Sequence, residues 1–228
     1  SCWMSRRCLG WSIFIPKTTT KMSTVLYMEE TTYTRSAAEV SEGGTYGEAA
    51  FAVTERSSEV RKIGVWVPVT DEQFEDEERA RSYIPDRLRN QLRQRLDEQI
   101  LVGNGTAPNL RGVNNVTGIN TQAKGADPTP DAIHIGMRLC QTVGFAEPDL
   151  VIMHPTDWEQ IRLLRTADGV YIWGSPSMEV PERIWGKRVV TTTYQTLNTA
   201  VVGDFRDYAE LALRRGIEFE VTNAHSTF

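Results

Sequence analysis

The residues able to do chemistry in this chain are few and scattered. It holds three histidines, His134, His154 and His225, and three cysteines, Cys2, Cys8 and Cys140. His154 stands three residues before Asp157, where an imidazole and a carboxylate could act as half of an acid–base pair. No GxSxG, HExxH or Cys–His pattern supplies a nucleophile beside them, so His154 reads as a junction residue hydrogen-bonded to a loop. His134 falls among apolar residues on a helix, at a core edge. Gly103-Asn104-Gly105 has the look of a phosphate turn, but it follows a helix rather than a strand and lacks both a third glycine and a GK[ST]. Asp71–Glu78 carries six acids in eight residues without a histidine or a calcium-loop glycine, which reads as a solvated helix or turn. Cys2 and Cys8 lack zinc-knuckle spacing, and an odd cysteine count builds no disulfide framework, so a reducing compartment is the default. Cys140, at helical spacing from Ile133 and Met137, reads as a small buried hydrophobe. The expectation is no catalytic residue, no metal and no cofactor.

The elements around these residues are more informative. Ile84, Leu88, Leu92, Leu96 and Ile100 recur every four residues, one apolar stripe on a helix of about 83–102. Pro85 fits its first turn, and Gly103, Asn104 and Gly105 permit the positive φ that ends it. Arg87, Arg89, Arg93 and Arg95 alternate with Asp86, Asp97 and Glu98 off the stripe. Interleaved acids and the absence of stacking aromatics point to salt bridges between subunits, or a solvated face, rather than nucleic acid. Upstream, 31–40 and 51–61 are β-prone flanks of a Gly-, Ser- and Glu-rich tip at 41–50, a long two-stranded arm that is marginal alone and needs a neighbour. Val60–Val69 alternates apolar residues as a strand. Thr129 and Thr156 are expected caps of two helices, the second turning Trp158, Ile161 and Leu164 inward. Leu150–Met153 reads as a buried strand, 187–193 and 199–204 as strands around a turn, and 209–214 with 217–222 as a hairpin. Residues 1–23 read as an arm lying on something else. The sum is a mixed α+β chain.

Composition narrows the partners. Lys and Arg number 25 against 30 acids, for a net charge of −5, which disfavours a protein built to grip DNA or an anionic membrane. Forty per cent apolar residues suffice for a core, while a mean hydropathy of −0.37 and six tryptophans leave room for large half-exposed contacts. The apolar stretch Trp11–Ile15 is too short for a signal core or a membrane span.

The helix and turn in "YIPDRLRNQLRQRLDEQILVGNGTAPNLRGV" are followed by "LVIMHPTDWEQIRLLRTADGVYIWG", "IWGKRVVTTTYQT" and "AVVGDFRDYAELALRRGIEFEVT". Upstream lies "TVLYMEETTYTRSAAEVSEGGTYGEAAFAVTERSSEVRKIGVWVPVTDEQFED". In this order, across about residues 24–228, the chain resembles the major capsid proteins of tailed bacteriophages with the Hong Kong 97-type fold. That resemblance implies an N-terminal arm (1–23) and a peripheral domain (24–105) with an extended loop at about 31–61 and the long spine helix. An axial domain (106–206) and return strands of the peripheral domain (207–228) follow. It implies a shell protein rather than an enzyme, forming hexamers and pentamers of an icosahedral head in the bacterial cytoplasm. The head would enclose double-stranded DNA without reading its sequence, with a portal and scaffold or decoration proteins as partners and no membrane. Tyr46, Glu48, Arg89, Arg93 and Arg95 are the implied subunit contacts. Some relatives carry a cross-linking lysine in the loop; here Tyr46 holds that place, and the acceptor asparagine would fall beyond Phe228. A nanocompartment shell of the encapsulin kind is the same-fold alternative, told apart by its cargo. A hydrolase using His154 and Asp157 is the different-class alternative.

Overall fold

The computed structural model describes residues 11–34, 36–69, 78–174, 176 and 181–221. Cys2, Cys8, the acidic residues from Asp71 to Glu77, and His225 lie outside these. The chain divides into two compact units: residues 1–17, 61–211 and 217–228, and residues 18–60 with 212–216.

The first unit is organised by four consecutive apolar residues. Strand β4 (Leu150–Met153) is buried along its whole length, as a strand covered on both faces must be. Around it, β5 (Arg183–Ile184), β6 (Lys187–Thr191) and β7 (Val201–Gly203) form a sheet of order β5-β6-β4-β7. β6 runs parallel to β4, from Leu150 opposite Arg188 to Met153 opposite Thr191, and β7 runs antiparallel on the other side. The two later strands therefore flank β4 instead of pairing with each other. Because side chains alternate along a strand, β4 feeds two separate cores. Val151 and Met153 pack with Ile133 and Met137 of helix α2 (Thr129–Val143), Trp158 and Ile161 of helix α3 (Pro155–Arg162), Ile184 and Val189. Leu150 and Ile152 pack on the opposite face with Trp11, Ile15, Leu101 and Phe205.

That second core corrects the reading of the N-terminal arm. Trp11 and Ile15 belong to this chain's own interior: Trp11 is 2% exposed, its Nε1–H donates to the Asp97 carbonyl at 3.1 Å, and its ring meets Phe205 edge-on at 5.9 Å. An aromatic segment with no period hides its burial, because one indole fills what several aliphatic residues would.

The long helix α1 spans Glu78–Val102. It starts five residues earlier than the stripe suggests, so Pro85 lies inside it rather than in the first turn, where it leaves the residue 81 carbonyl without its helical donor. The stripe Ile84, Leu88, Leu92, Leu96 and Ile100 is only half-buried, and the buried residues are Asp97, Gln99 and Leu101 near the C-terminal end. Val60–Val69 is extended but not a strand: no ladder partner exists for it among the described residues, and Val65, Trp66 and Val67 are exposed. Alternation marks a strand only where another strand supplies its hydrogen bonds.

The helix ends by close approach more than by unusual torsion. Of Gly103, Asn104 and Gly105, only Gly105 has positive φ, at 74°. A Cβ on Gly103 would stand 2.3 Å from the Leu110 carbonyl oxygen, and one on Gly112 would stand 2.5 Å from the Gly103 nitrogen. Gly112 N–H donates to Gly103 O at 2.8 Å, and Asn115 Nδ2 donates to the carbonyls of Val102 and Gly103 at 3.1 and 2.9 Å. These bonds occupy carbonyls that a helix end leaves open.

Smaller corrections follow the same local chemistry. The cap of α2 is Pro128, one residue before Thr129, and that of α3 is His154, two before Thr156. Leu164 lies beyond the end of α3 and is exposed, while Trp158 and Ile161 are buried as expected. Cys140 is half-buried, its thiol donating to the Val202 carbonyl at 3.5 Å. Strand β8 (Leu211–Leu213) pairs with β1 (Lys17–Thr19), so no hairpin forms with 217–221; instead Phe219 lies under the Arg89 guanidinium at 5.4 Å.

The second unit is a ribbon. Strand β2 (Thr24–Tyr33) pairs antiparallel with β3 (Phe51–Glu59), from Thr24 opposite Glu59 to Tyr33 opposite Phe51, with an irregularity between Glu30 and Thr32. The first strand covers the extended segment that Val25, Tyr27 and Tyr33 suggest, and it takes in only residues 31–33 of the 31–40 flank. Every residue of β3 is exposed.

Candidate assembly surfaces

The groups with catalytic potential are used structurally. His154 Nδ1 accepts from the Thr156 backbone N–H at 3.1 Å, and the Asp157 carboxylate accepts from the Asn198 N–H at 2.8 Å. Each satisfies a backbone donor, one at a helix start and one in the loop before β7. His134 is exposed and meets Trp185 edge-on at 4.9 Å, while that indole donates to the Pro130 carbonyl at 2.9 Å. Among the described residues no three of His, Cys, Asp and Glu are placed to hold a metal ion. Among them, too, no helix is long and apolar enough to cross a membrane.

One carboxylate is unusual. Asp97 is buried in α1, and burial pushes its pKa above the ordinary carboxylate value against the opposing pull of Ser12 hydrogen bonds and the charges of Lys17 and Arg93. Its Oδ1 has no hydrogen-bond partner among the described residues. Tyr194 is pushed up by burial and then by Glu98 and Asp97.

The contact residues implied by resemblance fall in two places. Tyr46, 83% exposed, and Glu48, also exposed, lie in the segment joining β2 to β3. On α1, Arg89 pairs with Asp86 at 2.8 Å and Arg95 with Glu98 at 2.9 Å, whereas Arg93 is exposed and has no ion-pair partner among the described residues. Composition missed the apolar exposure of the ribbon itself: Leu26, Met28, Phe51 and Val53 are all open to solvent. Their signal was two short apolar runs, Val25–Met28 and Phe51–Val53, with no covering partner in sequence. Two open clefts accompany these surfaces. One of about 400 Å³ is lined by Phe14, Ile15, Pro16, Asp149, Leu150, Arg188 and Arg206. The other, of about 140 Å³, is lined by Val67, Tyr83, Ile84, Arg87, Leu88 and Gln91.

A long helix feeding a small mixed sheet, with a bare two-stranded ribbon, is the α+β architecture of the Hong Kong 97-type capsid fold. The capsid of an empty GTA particle superposes with a TM-score of 0.74 at 14% identity, covering 95% of this chain and 80% of that one. A structure from Microbacterium phage Oxtober96 gives 0.67 at 15% identity, over 89% and 72%. The phage capsid family model matches residues 15–228, and the chain belongs to that family. It is 29% identical over 187 residues to the major capsid protein of Enterobacteria phage HK97, 82% of this chain and 49% of the relative. The chain therefore spans about half the length of that curated relative.

Proposed function

We propose that this chain acts as a major capsid subunit of a tailed double-stranded DNA phage or prophage, assembling with its own copies into the hexamers and pentamers of an icosahedral head. The observation that carries this reading is the β2–β3 ribbon: ten and nine residues of paired backbone exposing Leu26, Met28, Phe51 and Val53. A two-stranded ribbon without a covering layer is marginal in water, so its stability must come from another molecule. In this reading residues 24–105 and 207–228 form the peripheral domain, 106–206 form the axial domain, and Tyr46, Glu48, Arg89, Arg93 and Arg95 contact neighbours. The role is architectural and without catalysis. The portal, any scaffold or decoration protein and the packaged genome are partners of the assembled head in the bacterial cytoplasm.

Negative-stain microscopy of the purified protein tests this directly. Closed shells or capsomers of uniform size are the expected result, and a chain that stays monomeric at high concentration would overturn it. Shells that copurify with an enzyme instead of nucleic acid or a portal would favour a nanocompartment. With Tyr46 in the position of the cross-linking lysine, particles boiled in detergent should run as single chains; a covalent ladder would point to another lysine, such as Lys62, as donor.

A further inference from the structure

The cleft of about 400 Å³ beside β4 is built on an apolar floor. Ile15 and Leu150, 5% and 2% exposed, form that floor, and half-buried Phe14 and exposed Pro16 extend it. Its volume falls within the range of about 300–1,000 Å³ usual for ligand sites. The floor is fixed from several segments. Leu150 sits in the ladders of β4 with β6 and β7, opposite Arg188 and Gly203, and Ile15 packs in the core of Trp11, Leu101 and Phe205. Backbone groups around the cleft are already used. The Pro16 carbonyl accepts from the Leu211 N–H at 2.9 Å, and the Asp149 N–H donates to the Gly203 carbonyl at 3.1 Å. Asp149 Oδ1 accepts from the Phe205 N–H at 3.0 Å. Little backbone is left to pair with an added strand, so a guest must be recognised through side chains.

The side chains left to recognise it are cationic. Arg188 and Arg206 both line the cleft, are exposed, and have no ion-pair partner among the described residues. The Arg188 guanidinium lies over the Phe14 ring, 4.5 Å from its centroid. Stacking occupies the flat face of the guanidinium and leaves its N–H edge, the fork that fits a carboxylate. Arg206 follows Phe205, whose ring is buried and whose N–H is held by Asp149, so its side chain starts from a fixed point. Two cations thus stand against the single carboxylate of Asp149, in a chain whose net charge is −5. Such a cleft complements a guest that sets carboxylates beside a large apolar group. A nucleic-acid strand fits it less well, because base stacking needs an open aromatic face and Phe14 is half-buried beneath Arg188.

We propose that this cleft docks a short acidic segment of a partner protein, one in which a large apolar side chain stands next to carboxylates. The apolar side chain rests on Ile15 and Leu150, and the carboxylates accept from Arg188 and Arg206. Burial of the apolar group supplies the affinity, while the charges at the rim steer the approach and select the partner. Because Phe14 and Pro16 line the same cleft, an occupied site also holds the segment that carries them against β4 and β6. Every lining residue belongs to the first compact unit, so one subunit makes the whole site. The inference goes beyond the shell reading and needs no assembly.

The test titrates the full 228-residue chain against three blocked, dye-tagged peptides, AEFEA, AELEA and AEWEA, read by fluorescence anisotropy. At least one should bind, and replacing both of its glutamates by glutamine should weaken it about tenfold or more. Arg206→Glu and Arg188→Glu should each cause a loss of the same order, whereas Arg162→Glu, at an exposed arginine outside the cleft, should not. Arg188 stacks on Phe14, so circular dichroism and melting check that its variant folds; Arg206 is exposed and unpaired, which keeps the test decisive. Failure of all three peptides to bind at about 1 mM would overturn the proposal, as would equal binding of the glutamine peptides. Tagged oligothymidine that binds more tightly than the peptides, and is lost in the same two variants, would assign the arginines to nucleic acid and overturn it. Altered sedimentation of the peptide-free chain in Arg206→Glu, with peptide binding unchanged, would make the occupant a second copy and overturn it too. None of these results touches the shell reading, which stands or falls on microscopy.

Discussion

The sheet around β4 and the ribbon of β2 and β3 are both β-structure, yet they are stabilised in opposite ways. β4 is four residues long, with every side chain buried between two cores. β2 is ten residues long and makes an antiparallel ladder broken only at Thr31, yet most of its side chains face solvent. Paired backbone is common to both, so hydrogen bonding does not separate them. Burial does: each apolar side chain removed from water contributes about 1.5–3 kcal/mol, and the ribbon forgoes nearly all of it. One region is covered by its own chain; the other leaves its apolar side chains open to solvent.

The sharpest way to break this comparison is to truncate one large residue in each region. Trp11→Ala removes a buried indole and its bond to the Asp97 carbonyl, and should cost the isolated subunit about 3–5 kcal/mol in chemical denaturation. Phe51→Ala, at a residue 73% exposed, should change subunit stability by less than about 0.5 kcal/mol. If the two costs were similar, the contrast would be wrong. Gly103→Ala comes next: its new methyl meets the Leu110 and Gln99 carbonyl oxygens, so a loss of about 1–3 kcal/mol is expected by thermal melting.

A pH titration of stability sharpens the comparison further. Asp97 has its pKa raised in the folded state, so folding takes up a proton there between the ordinary carboxylate pKa and the raised value. The stability this group contributes is present below the ordinary carboxylate pKa and is lost as pH rises through the folded one. Asp97→Asn should remove that slope and leave the neutral-pH subunit unchanged or more stable by up to about 1 kcal/mol, read from urea midpoints at several pH values. The smallest effect belongs to the ribbon: Glu29→Gln, breaking a pair with Arg56 that is half exposed at both ends, should shift monomer stability by about 0–1 kcal/mol and less in high salt.

The sequence makes elements with internal patterns legible. Leu150–Met153, the two short helices, and the presence of an extended arm and a long helix can all be read from period, proline and composition. Misreadings arise where the deciding partner is distant. Val60–Val69 has a strand's alternation without a strand beside it, and Trp11 is core because Leu101, Leu150 and Phe205 reach it from three later segments. His154 was legible as a junction residue, but its capping of α3 depends on a backbone angle that no spacing reveals. The surface proposed for contacts was half legible. The arginines of α1 stand out as charge, whereas the exposed face of the ribbon emerges only once register fixes which side chains share it.

The core that joins Trp11, Leu101, Leu150 and Phe205 also sets a timetable. At about 5–20 residues per second of synthesis, Phe205 leaves the ribosome roughly ten to forty seconds after Trp11. Until then the indole has no pocket, and β4 lacks both of its later neighbours, β6 and β7. The ribbon draws on none of these, and both of its strands are out once Glu59 has emerged, long before there is a body to carry them. In a crowded polysome the first β-structure ready to meet another chain is therefore the one with the least protection. Because β6 and β7 follow the ribbon in the chain, the interval before they emerge is the period of greatest exposure to premature association.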